Sequence, residues 1–156
     1  MKKTGQHLLI ITFFSAATAA WAAPDPPKEP EPDKQLEDAR AAIATGNWAS
    51  ARGILRAALL QDAGKAEYHN LYAYSIRRGE NPRMDLVFRH YNEALRLEPR
   101  HRGAHEYLGE AYLMVGNVAK AREHLEALAG LCSSGCEEHA KLSRAVADVE
   151  QRHAKK

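Results

Sequence analysis

"LGEAYLMVGNVAKAREHLEAL", residues 108–128, carries the plainest fold signal in the chain. Leu108, Tyr112 and Val115 recur at i, i+4 and i+7, one face of a helix. Val118, Ala121, Leu125 and Leu128 repeat that spacing in the second half. Between the halves stands Gly116, a residue that tolerates the left-handed backbone on which helices end. The stretch therefore reads as two helices joined by a tight turn, with no strand-like alternation.

The same grammar extends outward. From Asp33 no proline interrupts the chain until Pro82, and the next is Pro99. Gly46 and Gly79 each end a helical stretch, as Gly116 does, and at Asn81-Pro82 the asparagine is expected to cap a helix whose first turn holds the proline. The reading is seven helices with short connections, an all-α chain. Ala39, Ala73 and Gly109 occupy one small-residue place at separations of 34 and 36 residues. Ala51 and Ala121 follow their small residue by 12 positions and Val87 by 14, the extra two lying in the "GENPR" turn. A period in this range marks a helical solenoid.

On these residues the chain resembles the tetratricopeptide repeat family, whose unit is a helix–turn–helix. The third unit carries the resemblance best, with His105, Leu108-Gly109, Tyr112, Ala121 and Leu125, although Ser133 stands where the family has a proline. The middle unit supplies His69, Tyr72-Ala73, Ile76, Val87, Tyr91 and Pro99. The first, with Asp38-Ala39, Ala42, Ala51 and Leu55, puts Asp38 in an apolar slot and is degenerate. The resemblance implies a right-handed α-solenoid with units at 32–65, 66–101 and 102–135, closed by a C-terminal capping helix over 136–153. Leu142, Val146 and Val149 are expected to face inward on that cap, with Lys141, Arg144 and Asp148 in water. Ala58 and Ala94 are expected where helices cross closely.

The N-terminus differs from the rest. Lys2 and Lys3 precede an apolar run from Leu8 to Phe14, then small residues through Ala20-Trp21-Ala22. That order is a secretory signal peptide, 1–22, and the run is too short to span about 20 residues of bilayer. A secreted, periplasmic protein is expected, with no stable membrane insertion after cleavage. Residues 23–32, "APDPPKEPEP", form a proline-rich arm expected to be disordered. Without residues 1–22 the chain carries 20 basic and 20 acidic residues, so it lacks the basic footprint that nucleic-acid binding needs.

The two cysteines, Cys132 and Cys136, lie four apart beside His139. In an oxidising compartment such a pair suggests one disulfide. Ser134 and Glu137 form a capping box that would start the last helix at Ser134. The alternative is metal or thiol handling through Cys132 and Cys136, with His139 or His124 as a third ligand. Haem attachment fails because Glu137, not histidine, follows Cys136. His101 and His105 are one turn apart, a spacing that can share a metal, but two ligands do not complete a tetrahedral site. No phosphate loop, nucleophile elbow or convergent acid pair is visible, so neither enzyme activity nor a cofactor is expected.

The resemblance also implies a concave face, lined by the first helix of each unit, that binds a peptide or partner protein. The corresponding residues are Leu36, Arg40 and Ile43; Asn70, Tyr74, Arg77 and Arg78; and Glu106, Glu110, Leu113 and Met114. The lysine and asparagine set with which some members grip a terminal carboxylate does not carry over: Leu36, Leu71, Gly103 and Tyr107 stand in most of those places. Self-association through the first unit is a further possibility.

Overall fold

A computed structural model describes residues 33–132 and 135–155. The signal peptide and proline-rich arm expected at 1–22 and 23–32 lie outside the described residues, as do Ser133 and Ser134. Seven helices occur among the described residues: α1 (Lys34–Ala44), α2 (Trp48–Gln61), α3 (Ala66–Arg77), α4 (Met84–Leu97), α5 (Arg102–Met114), α6 (Val118–Leu131) and α7 (Glu137–Ala154).

Turn chemistry sets the period. Gly46 and Gly116 adopt φ of 71° and 78°, and the asparagine after each caps the next helix. Asn47 accepts from Ser50 N and Asn117 from Lys120 N, both at 3.1 Å. The middle unit departs from expectation. The left-handed residue there is Asn81, at φ 48°, not Gly79; α4 begins at Met84 behind Arg83, so Asn81 caps nothing and Pro82 lies outside the helix. At Gly79 the Arg52 guanidinium lies where a Cβ would stand and reaches Ser75 O at 3.3 Å.

Consecutive helices pack antiparallel, and the layers then differ. The first helices touch one another (α1 with α3, α3 with α5, α5 with α7), whereas α2, α4 and α6 do not. Closer approach on one side curves the stack, so α1, α3, α5 and α7 form the inner, concave layer. Small residues let helices approach closely: Ala39 and Ala73 on the inner helices and Ala58 and Ala94 on α2 and α4 are wholly buried, and a Cβ on Gly109 would lie 2.5 Å from Leu142 Cδ2. Tyr91, Leu55, Leu108, Leu128 and Leu142 are the largest fully buried side chains; each contributes roughly 1.5–3 kcal/mol by leaving water. Asp38 is displaced from its expected apolar slot and faces solvent, bonded to Lys34. Val115 is likewise exposed, because α5 ends at Met114 and the residue falls in the turn.

Helix α7 closes the stack as expected, burying Leu142 and Val146, with Lys141, Arg144 and Asp148 exposed. It starts at Glu137, not Ser134. Cys136, at φ −143° and ψ 161°, is extended and takes the N-cap position without a side-chain bond. A helix cannot run through that backbone. Cys132 and Cys136 are joined by a disulfide, which ties the end of α6 to the start of α7. Among the described residues, no helix is long and apolar enough to cross a membrane.

Candidate functional site

At the amino ends of α3 and α5, beside the middle of α1, the inner face holds a carboxylate from three sides. Glu67 accepts from Arg40 Nη2 at 2.7 Å and from Asn70 Nδ2 at 3.0 Å, and pairs with His101 Nε2 at 2.9 Å. Burial opposes the charge, but these three bonds prevail and hold the Glu67 carboxyl below its ordinary pKa. Glu67 in turn raises the His101 pKa, against its partial burial. His101 also caps α5, its Nδ1 accepting from Ala104 N at 3.2 Å. His101 and His105 are therefore not brought together on one ion: His105 faces α6 and meets His124.

Toward the middle, aromatic rings and arginines interleave. The Trp48 ring stands edge-on to Tyr74 at 5.9 Å, and Tyr74 lies 4.6 Å from Tyr107. Arg78, exposed, sits over Trp48 at 5.5 Å. Arg77 lies over both Tyr74 and Tyr107, at 5.5 and 5.7 Å. Its guanidinium donates to Glu110 Oε2 at 2.6 Å and to the Tyr91 hydroxyl at 3.4 Å. Only 8% of Arg77 is exposed. It is a strut between α3, α4 and α5, whereas its neighbour Arg78 is the surface cation.

Two further groove residues are buried. Asn70 is 2% exposed, and its Oδ1 has no hydrogen-bond partner among the described residues. Glu106 is 3% exposed. Burial raises its carboxyl pKa to about 7; Lys141 pulls it down, while Glu110, Glu138 and Glu137 add to the rise.

The end of the face nearest the cap is also open. A cleft of about 320 Å³ lies there, lined by Arg77, Glu110, Leu113, Met114, Ala145, Asp148, Val149 and Arg152. Leu113, Met114, Ala145 and Val149 supply its apolar surface, and Arg77, Glu110, Asp148 and Arg152 bring both charges to it. Met114, 53% exposed, lines this cleft beside Leu113 and Val149. Of this lining, Arg77, Glu110, Leu113 and Met114 were expected on the binding face from sequence, whereas Ala145, Asp148, Val149 and Arg152, and Trp48 beside Tyr74, were not. Trp48 opens a second helix, and α7 is a cap whose inner side becomes groove only after it docks on α5.

No family model matches the chain, and no curated protein matches it. Solved structures do. The type III secretion translocator chaperone SycD of Yersinia enterocolitica superposes with a TM-score of 0.67 at 14% identity, over 78% of this chain and 84% of SycD. The TPR domain of Arabidopsis OM64 gives 0.65 at 14% identity, over 74% of this chain and 93% of that one. The first TPR of Spaghetti (RPAP3), bound to the HSP90 peptide SRMEEVD, gives 0.66 at 14% identity, over 78% and 91%. Likeness at this identity concerns the backbone. It defines the class: a TPR-like, all-α helical-repeat solenoid.

Proposed function

We propose that the chain is a non-enzymatic interaction module, exported to the periplasm, that holds a peptide or a partner protein along its inner face. The observation that carries the proposal is the cleft between α5 and α7, where exposed Met114 lies among Leu113, Val149 and complementary charges. Such a surface binds through a few apolar anchors, with rim charges setting register. Fold-level analogy adds support: Spaghetti holds an HSP90 peptide and SycD a peptide of the translocator YopD. Export rests on the signal-peptide pattern of residues 1–22. The alternative, thiol or metal handling through Cys132 and Cys136, starts from their disulfide, which metal binding would first require to be reduced.

A photo-crosslinking residue at position 114, expressed in cells and followed by mass spectrometry of the adduct, tests the reading. A discrete adduct that disappears with Val149→Glu is expected. The same adduct obtained from exposed Glu123 on α6, or none from position 114, would count against this face. SycD has been crystallised as an alternative dimer, so sedimentation at several concentrations separates partner capture from self-association. The mass of the mature protein, beginning at Ala23 or not, checks export.

A further inference from the structure

Three rings stand in a row across the middle of the inner face, each carrying a hydrogen-bond donor that is not engaged. Trp48, at the start of α2, lies edge-on to Tyr74 of α3 at 5.9 Å, and Tyr74 lies 4.6 Å from Tyr107 of α5. All three are part-exposed. Neither the Trp48 Nε1–H nor the Tyr74 and Tyr107 hydroxyls bond another described residue. Among the described residues Asn70 Oδ1 is the one buried side-chain polar atom without a partner, so these three donors open to solvent. The hydroxyls of Tyr68 and Tyr91, by contrast, are engaged by Asp33 and Arg77. Arg78 adds further donors to the row: it is exposed, lies 5.5 Å from the Trp48 ring centre and makes no ion pair with a described residue. Its neighbour Arg77 is already held by Glu110 and Tyr91.

We propose that this row takes a proline-rich segment of a partner protein, in the polyproline II conformation, with an acidic residue among its prolines. A proline has no N–H, so such a segment presents a line of carbonyl acceptors and few donors of its own. In polyproline II the backbone makes no internal hydrogen bonds, and those carbonyls stand free to be bonded. The row is the complement: an indole N–H and a guanidinium that can only donate, and two phenol hydroxyls. An ordinary extended peptide brings an N–H at every residue, which the row can meet only with its hydroxyl oxygens. Aromatic rings also pack well against pyrrolidine rings, as in other grooves that hold this conformation. The two steps of the row together reach at most slightly beyond the roughly 9 Å that one three-residue turn advances. Prolines three apart can therefore rest at its two ends.

Charge fixes the rest of the partner's chemistry. Arg78 is the exposed cation of the row, and its place over Trp48 sets a carboxylate of the segment beside the proline at that end. An amphipathic helix does not suit the row, because its carbonyls are taken up by its own hydrogen bonds and the four donors would go unmet. The proposal rests on the inner face being a partner surface, and it names what the partner presents there. Trp48, Tyr74, Arg78 and Tyr107 are all distinct from the residues lining the cleft beside Met114, so the two can be tested apart.

Trp48 is the only tryptophan after residue 22, so its emission reports the row directly. Titration of the mature protein with the peptide acetyl-PPEPPEPPEP-amide should shift that emission saturably, and the same peptide with alanine for every proline should not. The peptide with lysine for every glutamate should bind more weakly. Arg78→Glu, at an exposed position, should reverse the preference between the acidic and the basic peptide. Tyr74→Phe keeps the ring and should weaken binding roughly twofold to tenfold through the lost hydroxyl. No saturable shift, equal binding of the alanine peptide, or a charge preference that Arg78→Glu leaves unchanged would overturn the proposal. Emission that changes with protein concentration alone would put a second copy on the row and overturn it equally. If any of these occurs while the position-114 adduct persists, only the proline assignment falls. If that adduct is missing as well, the inner face as a partner surface falls with it.

Discussion

Glu106→Gln offers a test of the inner face that depends on pH in a fixed direction. The Glu106 carboxyl titrates near 7 in the folded protein against an ordinary 4.5, because it is buried beside Glu110 and α7 with only Lys141 to compensate. Between those pH values the folded state holds a proton that the unfolded state has released. Stability is therefore undiminished below about pH 4.5 and is lost as pH rises through about 7. At about 1.36 kcal/mol per pH unit, the full interval is worth about 3.4 kcal/mol. Water at the rim of a narrow solenoid screens part of it, and about half, roughly 1.5–2 kcal/mol, is expected. Glutamine keeps the shape and cannot ionise, so the variant should be more stable than the parent at pH 8.5 by that amount. That corresponds to roughly 5–10 °C in melting temperature for a domain of this size. At pH 4 the two should melt together. Urea and thermal melts of both proteins with EDTA present give the difference curve, in which other titrating groups cancel. A difference that is flat with pH, or a glutamine variant less stable at pH 8.5, would refute the account of Glu106.

Other outcomes follow from particular contacts. Gly109→Ala should destabilise in urea melts by about 1–3 kcal/mol of overpacking, since its Cβ would lie 2.5 and 2.8 Å from the Leu142 methyls; a gain near the roughly 1 kcal/mol of added helix propensity would mean α7 shifts freely. Arg77→Ala should cost about 2–3 kcal/mol, because it removes a buried strut and leaves Glu110 and the Tyr91 hydroxyl short of a partner. Arg78→Ala should cost under about 1 kcal/mol. Charge reversal at both arginines thus confounds folding with binding, and Arg78→Glu is the cleaner probe of capture. Cys132→Ser with Cys136→Ser should lower stability by about 2 kcal/mol, the chain-entropy value for so short a loop, while leaving Met114 crosslinking intact under the groove reading.

Much of the architecture is specified by the amino-acid order. Small residues at Ala39, Ala73 and Gly109, and the Gly-Asn turns at 46–47 and 116–117, are local signals repeated along the chain. Each helix–turn–helix is encoded in its own segment and stacks on its neighbour, so the period and the burial of Leu108, Leu128 and Leu142 are legible from spacing alone. The cysteine pair is legible for the same reason: its partners are four residues apart. What a given side chain meets across the stack is not local. Arg77 and Arg78 are adjacent in sequence, yet one is buried against Tyr91 and Glu110 while the other lies on Trp48, because a helix turns about 100° between them. In the middle unit the left-handed residue is Asn81, while Arg52 from the preceding unit lies against Gly79. His69 and His90, or His105 and His124, are about twenty residues apart and on different helices. Only the packing of α3 on α4 and of α5 on α6 turns their Nδ1 atoms toward each other. Residue order is enough for a repeating all-α stack, because its signals lie within single helix pairs. Which polar groups become struts, which stay open to a partner and which stand in pairs depends on how one helix docks on the next.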